Sequence, residues 1–252
     1  MMETQARGRV RVEDGPKRVR VMFGGEVLAD TTRVKLVWEK PSYPTYYVPA
    51  ADVRTDVLVD TGETNHSPSR GDAKLHTIKV GDREAVAAAW WYEDSPIDGL
   101  AGTIRFQWDA MDAWFEEDEE VYVHPRDPHS RVDVLQSSRH VRVEVDGVTV
   151  AESRQPRLLF ETGLPTRYYL PKTDVRLDLL TPTEHHTQCP YKGTASYYSL
   201  EVNGTTYDNF VWWYQHPALE SVKVAGSVAF YNEKVDLYVD GELQARPRTP
   251  FS

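Results

Sequence analysis

The chain has one cysteine, no long apolar run and no excess of positive charge, and each shortage excludes something. A single thiol, Cys189, rules out an internal disulfide and any cysteine-rich zinc centre. No apolar stretch approaches the roughly 20 residues of a membrane-crossing helix. The formal net charge is -10, the wrong sign for proteins that bind nucleic acid by neutralising phosphates. No Walker-type loop and no Gly-x-Gly-x-x-Gly stretch occurs. The segment Met1 to Val12 is mostly polar and lacks the apolar core of a signal peptide. These absences predict a cytoplasmic protein with no cofactor, no bound metal, and no nucleic-acid or membrane partner.

What the chain does have is a repeat. Tyr46-Tyr47-Val48-Pro49 with Asp52-Val53-Arg54 returns as Tyr168-Tyr169-Leu170-Pro171 with Asp174-Val175-Arg176, and Trp90-Trp91-Tyr92 returns as Trp212-Trp213-Tyr214. Tyr47 and Tyr169 are 122 residues apart, as are Trp90 and Trp212, so no gap intervenes. A chain of 252 residues therefore reads as two domains, each long enough to bury a core. The expected boundaries are 16–123 and 139–241, with a proline-containing linker over 124–138 and a tail over 242–252.

Short strands between turn residues predict a mainly β protein built from two tandem repeats of one compact domain. Gly24-Gly25 and Asp146-Gly147 mark tight hairpins, because such turns need positive φ. Asn203-Gly204-Thr205 has the form of a glycosylation acceptor but reads as another hairpin turn. The basic stretches Lys17-Arg18-Val19-Arg20 and Arg139-His140-Val141-Arg142 alternate with valine, as a solvated strand face does. One short helix is expected in the first copy. Asp109 would cap it, and Met111, Trp114 and Phe115 would share a face at i, i+3 and i+4. With the acidic run Glu116 to Glu120, the 109–120 segment reads as an insertion that could engage a protein partner.

One spot separates the copies chemically. Cys189-Pro190-Tyr191-Lys192-Gly193 aligns with Ser67-Pro68-Ser69-Arg70-Gly71. The turn is shared, but the thiol, the phenol and the lysine occur in the second copy alone. A lysine three positions from a thiol can favour the thiolate, so Cys189 and Lys192 are the candidate catalytic pair. Tyr169, His185, Tyr191, Tyr198, Trp212 and Tyr214 are candidate ligand-binding residues, forming with Trp213 an aromatic cleft around that turn. Either His185 or His186 could join Cys189. Neighbouring strand residues point to opposite faces, so one of Trp212 and Trp213 is expected in the core.

The Tyr-Tyr-x-Pro-x-x-Asp-Val-Arg stretch, the Cys-Pro-Tyr-Lys-Gly turn and the Trp-Trp-Tyr segment together resemble domain-of-unknown-function family 427. The resemblance covers both copies, and the second keeps the Cys-Pro-Tyr-Lys-Gly turn intact. It implies a compact fold of the kind called a β-tent, whose relatives often carry paired Cys-x-x-Cys zinc ligands that this chain lacks. The family is sometimes labelled nucleotidyltransferase, yet the glycine-serine turn and closely spaced carboxylates of such enzymes are missing here. Three functional readings follow. The first is a protein that binds a small nucleotide-like or aromatic molecule in a cleft of the second domain. The second is an enzyme using Cys189 and Lys192, thiol-dependent or transferring a nucleotidyl group. The third is an interaction scaffold.

Overall fold

Hairpins form where the backbone can turn left-handed at little cost. Asp146 (φ 49°) with Gly147 (φ 74°) and Asn203 (φ 51°) with Gly204 (φ 77°) take that conformation, which short polar residues and glycine tolerate. The computed structural model of the chain describes residues 10–249. The chain divides into two compact units between Asp127 and Pro128.

Each unit is two antiparallel sheets. In the first, a seven-stranded sheet runs Arg11–Asp14, Lys35–Lys40, Tyr43–Pro49, Thr103–Phe106, Arg83–Tyr92, Gly71–Val80, Leu58–Ser67 in spatial order. A four-stranded sheet runs Glu119–Glu120, Ala113–Glu116, Val19–Phe23, Glu26–Thr31. The second unit repeats this with Val132–Gln136, Arg157–Glu161, Arg167–Pro171, Ser227–Phe230, Thr205–Tyr214, Gly193–Val202 and Leu180–Cys189. Its smaller sheet contains Val148–Ser153, Val141–Val145, Asp236–Val239 and Glu242–Leu243. The protein is thus mainly β, with two tandem domains.

The large sheet of each domain is covered on both faces. One face meets the smaller sheet over a core that includes Val21, Val48, Ile104 and Trp114, or Val143, Leu170, Val228 and Leu237. The other face carries a smaller cluster, Val37, Tyr47, Ala73, Tyr92 and Leu100 in the first domain. Its second-domain counterpart includes Leu159, Tyr169, Ala195, Trp212 and Tyr214. Strand alternation explains the split: Tyr47 and Trp90 face one way, Val48 and Trp91 the other.

The shared Asp-Val-Arg stretch closes a corner. Asp52 ends a 3-10 turn, accepts a hydrogen bond from the Thr31 hydroxyl at 2.7 Å and pairs with Arg33. Asp174 does the same with Ser153 at 2.6 Å. Arg54 and Arg176 grip Asp56 and Asp178, two residues on. A second 3-10 turn follows in each domain, Thr55–Val57 and Leu177–Leu179, and the next strands start at Leu58 and Leu180.

Three expectations change here. The helical element near Asp109 is a single 3-10 turn, Trp108–Ala110, and Trp114 and Phe115 lie on the strand Ala113–Glu116 beyond it. Pairing with Val19–Phe23 satisfies the backbone there, while alternation buries Trp114 and leaves Phe115 beneath the Arg20 guanidinium at 5.1 Å. The second domain has the same strand, with Leu237 in the register of Trp114, so the segment is not an insertion. Val132–Gln136, inside the expected linker, is an edge strand because Val134 reaches the core. Glu242–Leu243, inside the expected tail, adds a short edge strand to the small sheet. No α-helix occurs among the described residues, and no helix there is long and apolar enough to cross a membrane.

Candidate functional site

The turn that distinguishes the copies is held by backbone geometry. Gly193 (φ 91°) lies so close to the next loop that a Cβ there would sit 3.0 Å from the His216 carbonyl oxygen. The Lys192 carbonyl accepts from the Ala218 N–H at 3.1 Å. In the first domain the Arg70 carbonyl accepts from the Ser95 hydroxyl at 2.8 Å instead.

Around each turn lies the same arrangement of acid, cation and phenols. In the second domain Lys192 Nζ sits 2.5 Å from Glu161 Oε2, with both side chains nearly buried. Tyr169 and Tyr214 are buried beside them. Burial chiefly raises both phenol pKa values, and Glu161 and the Cys189 thiol add to the effect. In the first domain Glu39, aligned with Glu161, accepts from the Tyr47 hydroxyl at 2.9 Å. Arg70 Nη1 is 3.3 Å from the same carboxylate, and Arg70 Nε donates to the Tyr92 hydroxyl at 3.3 Å. Burial chiefly, and then the Glu39 charge, pushes the Tyr47 phenol up.

The expected second-domain cleft is only partly assembled. Cys189 is half-buried, and Lys192 is engaged by Glu161. Tyr169, Tyr191, Trp212 and Tyr214 are buried packing residues, with the Trp212 indole N–H donating to the Tyr169 hydroxyl at 3.1 Å. Tyr198 and Trp213 pack in the core on the opposite sheet face, where Lys172 Nζ lies 3.3 Å from the Trp213 ring centroid. Alternation along the strands puts them there. His185 is exposed with its ring 4.7 Å from that of Tyr197. His186 Nδ1 lies 3.3 Å from the Ala195 carbonyl. Neither histidine hydrogen-bonds to Cys189 among the described residues. The acidic run of the first domain is occupied within its own sheet: Glu116 pairs with Lys17, Glu117 accepts from the Arg18 N–H, and Asp118 pairs with Arg20.

Open volume of a useful size lies in the first domain. A pocket of about 170 Å³ is lined by Glu39, Thr45, Arg105, Trp108, Trp114 and His124, among others. Trp108 and Trp114 stack in parallel, with centroids 4.6 Å apart. The His124 ring stacks on Tyr43 at 3.9 Å, and its Nδ1 donates to the Pro125 carbonyl at 2.7 Å. Beside them Val123 has φ 71°, and the His124 N–H reaches back to the Tyr122 carbonyl at 2.8 Å. That is a γ-turn of the strained positive-φ kind, on a β-branched residue, and costs about 1–3 kcal/mol.

Arg105 connects the pocket to the acid–cation cluster. Its guanidinium lies over Trp90 at 4.4 Å, and its Nε is 2.9 Å from Glu39 Oε1. The approach is off-line, so that buried N–H has no hydrogen-bond acceptor. In the second domain Ala229 stands in the register of Arg105, and Arg167 stands where the pocket has Thr45. Arg167 makes two 2.7 Å hydrogen bonds to Glu233, with side-chain exposures of 8% and 0%. Burial opposes ionisation of Glu233, but hydrogen bonds from Arg167 and Thr249 outweigh it and hold the carboxyl at about 2.

Glu39, Arg105 and Trp108 were not apparent in the sequence. A usable signal was the lone charge of Ile104-Arg105-Phe106, set between two apolar residues that alternation sends to the core.

A tandem pair of two-sheet β domains is the class that this architecture defines. Both halves match the family model described as Domain of unknown function (DUF427) and labelled NTP_transf_9, over residues 11–117 and 133–241. The chain belongs to that family. No curated protein matches it. No group of three or more metal-ligating side chains suited to an ion occurs among the described residues.

Proposed function

We propose that the protein binds a small ring-containing molecule, and that the first-domain pocket is where it binds. One observation carries this reading: a pocket of about 170 Å³ walled by Tyr43, Tyr46, Phe106, Trp108 and Trp114 beside a half-buried guanidinium. A cavity of roughly 150 Å³ accepts benzene, whereas sites for larger ligands run to about 300–1,000 Å³. The size favours one ring with a few substituents over a nucleotide. The strained Val123 backbone supports it too, since such strain gathers at ligand sites. A single free cysteine suits a cytoplasmic protein of this type. Nucleotidyl transfer, or thiol chemistry through Cys189 and Lys192, has less support, because Lys192 is already paired with Glu161.

Saturation-transfer NMR of the full chain against one-ring fragments tests the proposal. Thr45→Arg copies the second-domain residue Arg167 into the pocket wall. Fragments should bind the wild type and lose binding to Thr45→Arg. Undiminished binding to a folded Thr45→Arg protein, shown by an unchanged circular-dichroism melt, would place the ligand elsewhere and sink the proposal.

A further inference from the structure

The charge around the pocket specifies more than its size does. Arg70 and Arg105 both approach the single carboxylate of Glu39, with side-chain exposures of 15%, 20% and 15%. Tyr47 donates to that carboxylate as well. Glu39 is therefore crowded with donors, while two guanidiniums share one negative charge. One positive charge is left over in a partly dehydrated place, where charge is costly unless matched. The off-line Nε of Arg105 is the visible result: a buried donor with nothing in line to receive it. Lys40 and Asp109, both exposed at the pocket rim, offset one another. His124 directs its Nδ1 at a carbonyl.

Ligands of different charge fare differently in such a site. A cation would meet the surplus guanidinium and be repelled. A neutral ring would fill the aromatic volume and leave the Arg105 N–H unmatched. A planar anion would do both tasks at once, because guanidinium N–H groups match a carboxylate in plane. The second domain shows the complementary case. Lys192 faces Glu161 and Arg167 faces Glu233, one cation to each acid, and alanine replaces the extra arginine. Where the charges are matched, the long Arg167 side chain also stands in place of the pocket-lining Thr45.

Resting on the binding proposal above, we infer that the first-domain pocket takes an aromatic acid: a single planar ring carrying a carboxylate, with the ring among Trp108, Tyr46 and Phe106 and the carboxylate at Arg105.

Isothermal titration of the full chain with benzoate, benzyl alcohol and benzylamine separates this inference from the reading beneath it. Benzoate should bind roughly tenfold or more tightly than benzyl alcohol, as expected when a hydrogen-bonded charge is matched. Benzylamine should be weakest. Arg105→Ala should remove the benzoate preference, bringing benzoate and benzyl alcohol to similar affinities. Arg105→Lys keeps the charge and loses the planar fork, so it should bind benzoate several-fold more weakly than wild type. That variant carries the test if the alanine protein does not fold. Equal affinity for benzoate and the alcohol, or a benzoate preference that survives loss of Arg105, overturns the aromatic-acid inference and leaves the pocket standing. No binding by any of the three overturns both.

Discussion

The two domains place the same kinds of group at the same points of one sheet face, yet finish them differently. Glu39 and Glu161, Arg70 and Lys192, Tyr47 and Tyr169, and Tyr92 and Tyr214 correspond one to one. In the second domain Lys192 and Arg167 each meet a carboxylate of their own, and the long Arg167 side chain stands where the first domain has Thr45. In the first domain a third charged residue enters from a neighbouring strand, leaving surplus positive charge beside open volume. A repeated fold thus separates two uses of one polar layer. Balanced pairs lock a domain, and an unbalanced one leaves something for a ligand to complete.

The comparison breaks most readily at the buried pair. Arg167→Ala leaves Glu233, fully buried, as an uncompensated charge, and the second domain should lose about 3–5 kcal/mol in denaturant unfolding. Arg105→Ala leaves Glu39 still served by Arg70 and Tyr47, so its cost should stay within about 1 kcal/mol. Equal losses from the two substitutions would mean that the domains do not differ in the way described.

Acid provides the next test. The folded carboxyl of Glu233, at about 2, lies below its ordinary value of 4.5. The unfolded chain therefore takes up this proton first as pH falls. The stabilisation is complete above about pH 4.5 and fades as pH drops towards 2. A shift of that size corresponds to about 3 kcal/mol. Chemical-denaturation midpoints measured across that range should fall for the second domain, and Glu233→Gln should flatten the slope. A slope unchanged in Glu233→Gln would assign the acid sensitivity to other groups.

The smallest effect concerns the residue that first set the copies apart. Cys189→Ser installs the side chain that the first domain carries as Ser67. At a half-buried position it should shift stability by no more than about 0.5 kcal/mol. Iodoacetamide should label the native wild type once per chain and the variant not at all. Labelling of the wild type only after unfolding would show the thiol to be a packing residue and would narrow the difference between the two turns.

Much of the architecture was legible because its causes are local. Asp146-Gly147 and Asn203-Gly204 take positive φ with no help from distant residues, and the adjacent tryptophans divide between faces by alternation alone. The fixed spacing of Tyr47 and Trp90 against Tyr169 and Trp212 carried the duplication. Trp114 misled because Met111, Trp114 and Phe115 fit a helical spacing as well as a strand. Only pairing with Val19–Phe23, more than ninety positions away, settles the choice. The pocket was hidden for a related reason. Glu39 and Arg105 sit on separate strands and Arg70 in a hairpin turn, and each alone reads as an ordinary surface charge. Their excess of one guanidinium exists only once the sheet forms. The thiol turn drew attention because its chemistry is contiguous in the chain, whereas the cavity depends on register.

The parallel indoles of Trp108 and Trp114 have an optical consequence. Aromatic transitions held 4.6 Å apart couple as an exciton pair and imprint that coupling on circular dichroism. Trp212 and Trp213, the only tryptophans of the second domain, lie in cores on opposite faces of their sheet. The first domain therefore carries an indole–indole signature of its own, by which filling or melting of the pocket region can be followed, whereas each second-domain indole has tyrosine neighbours instead.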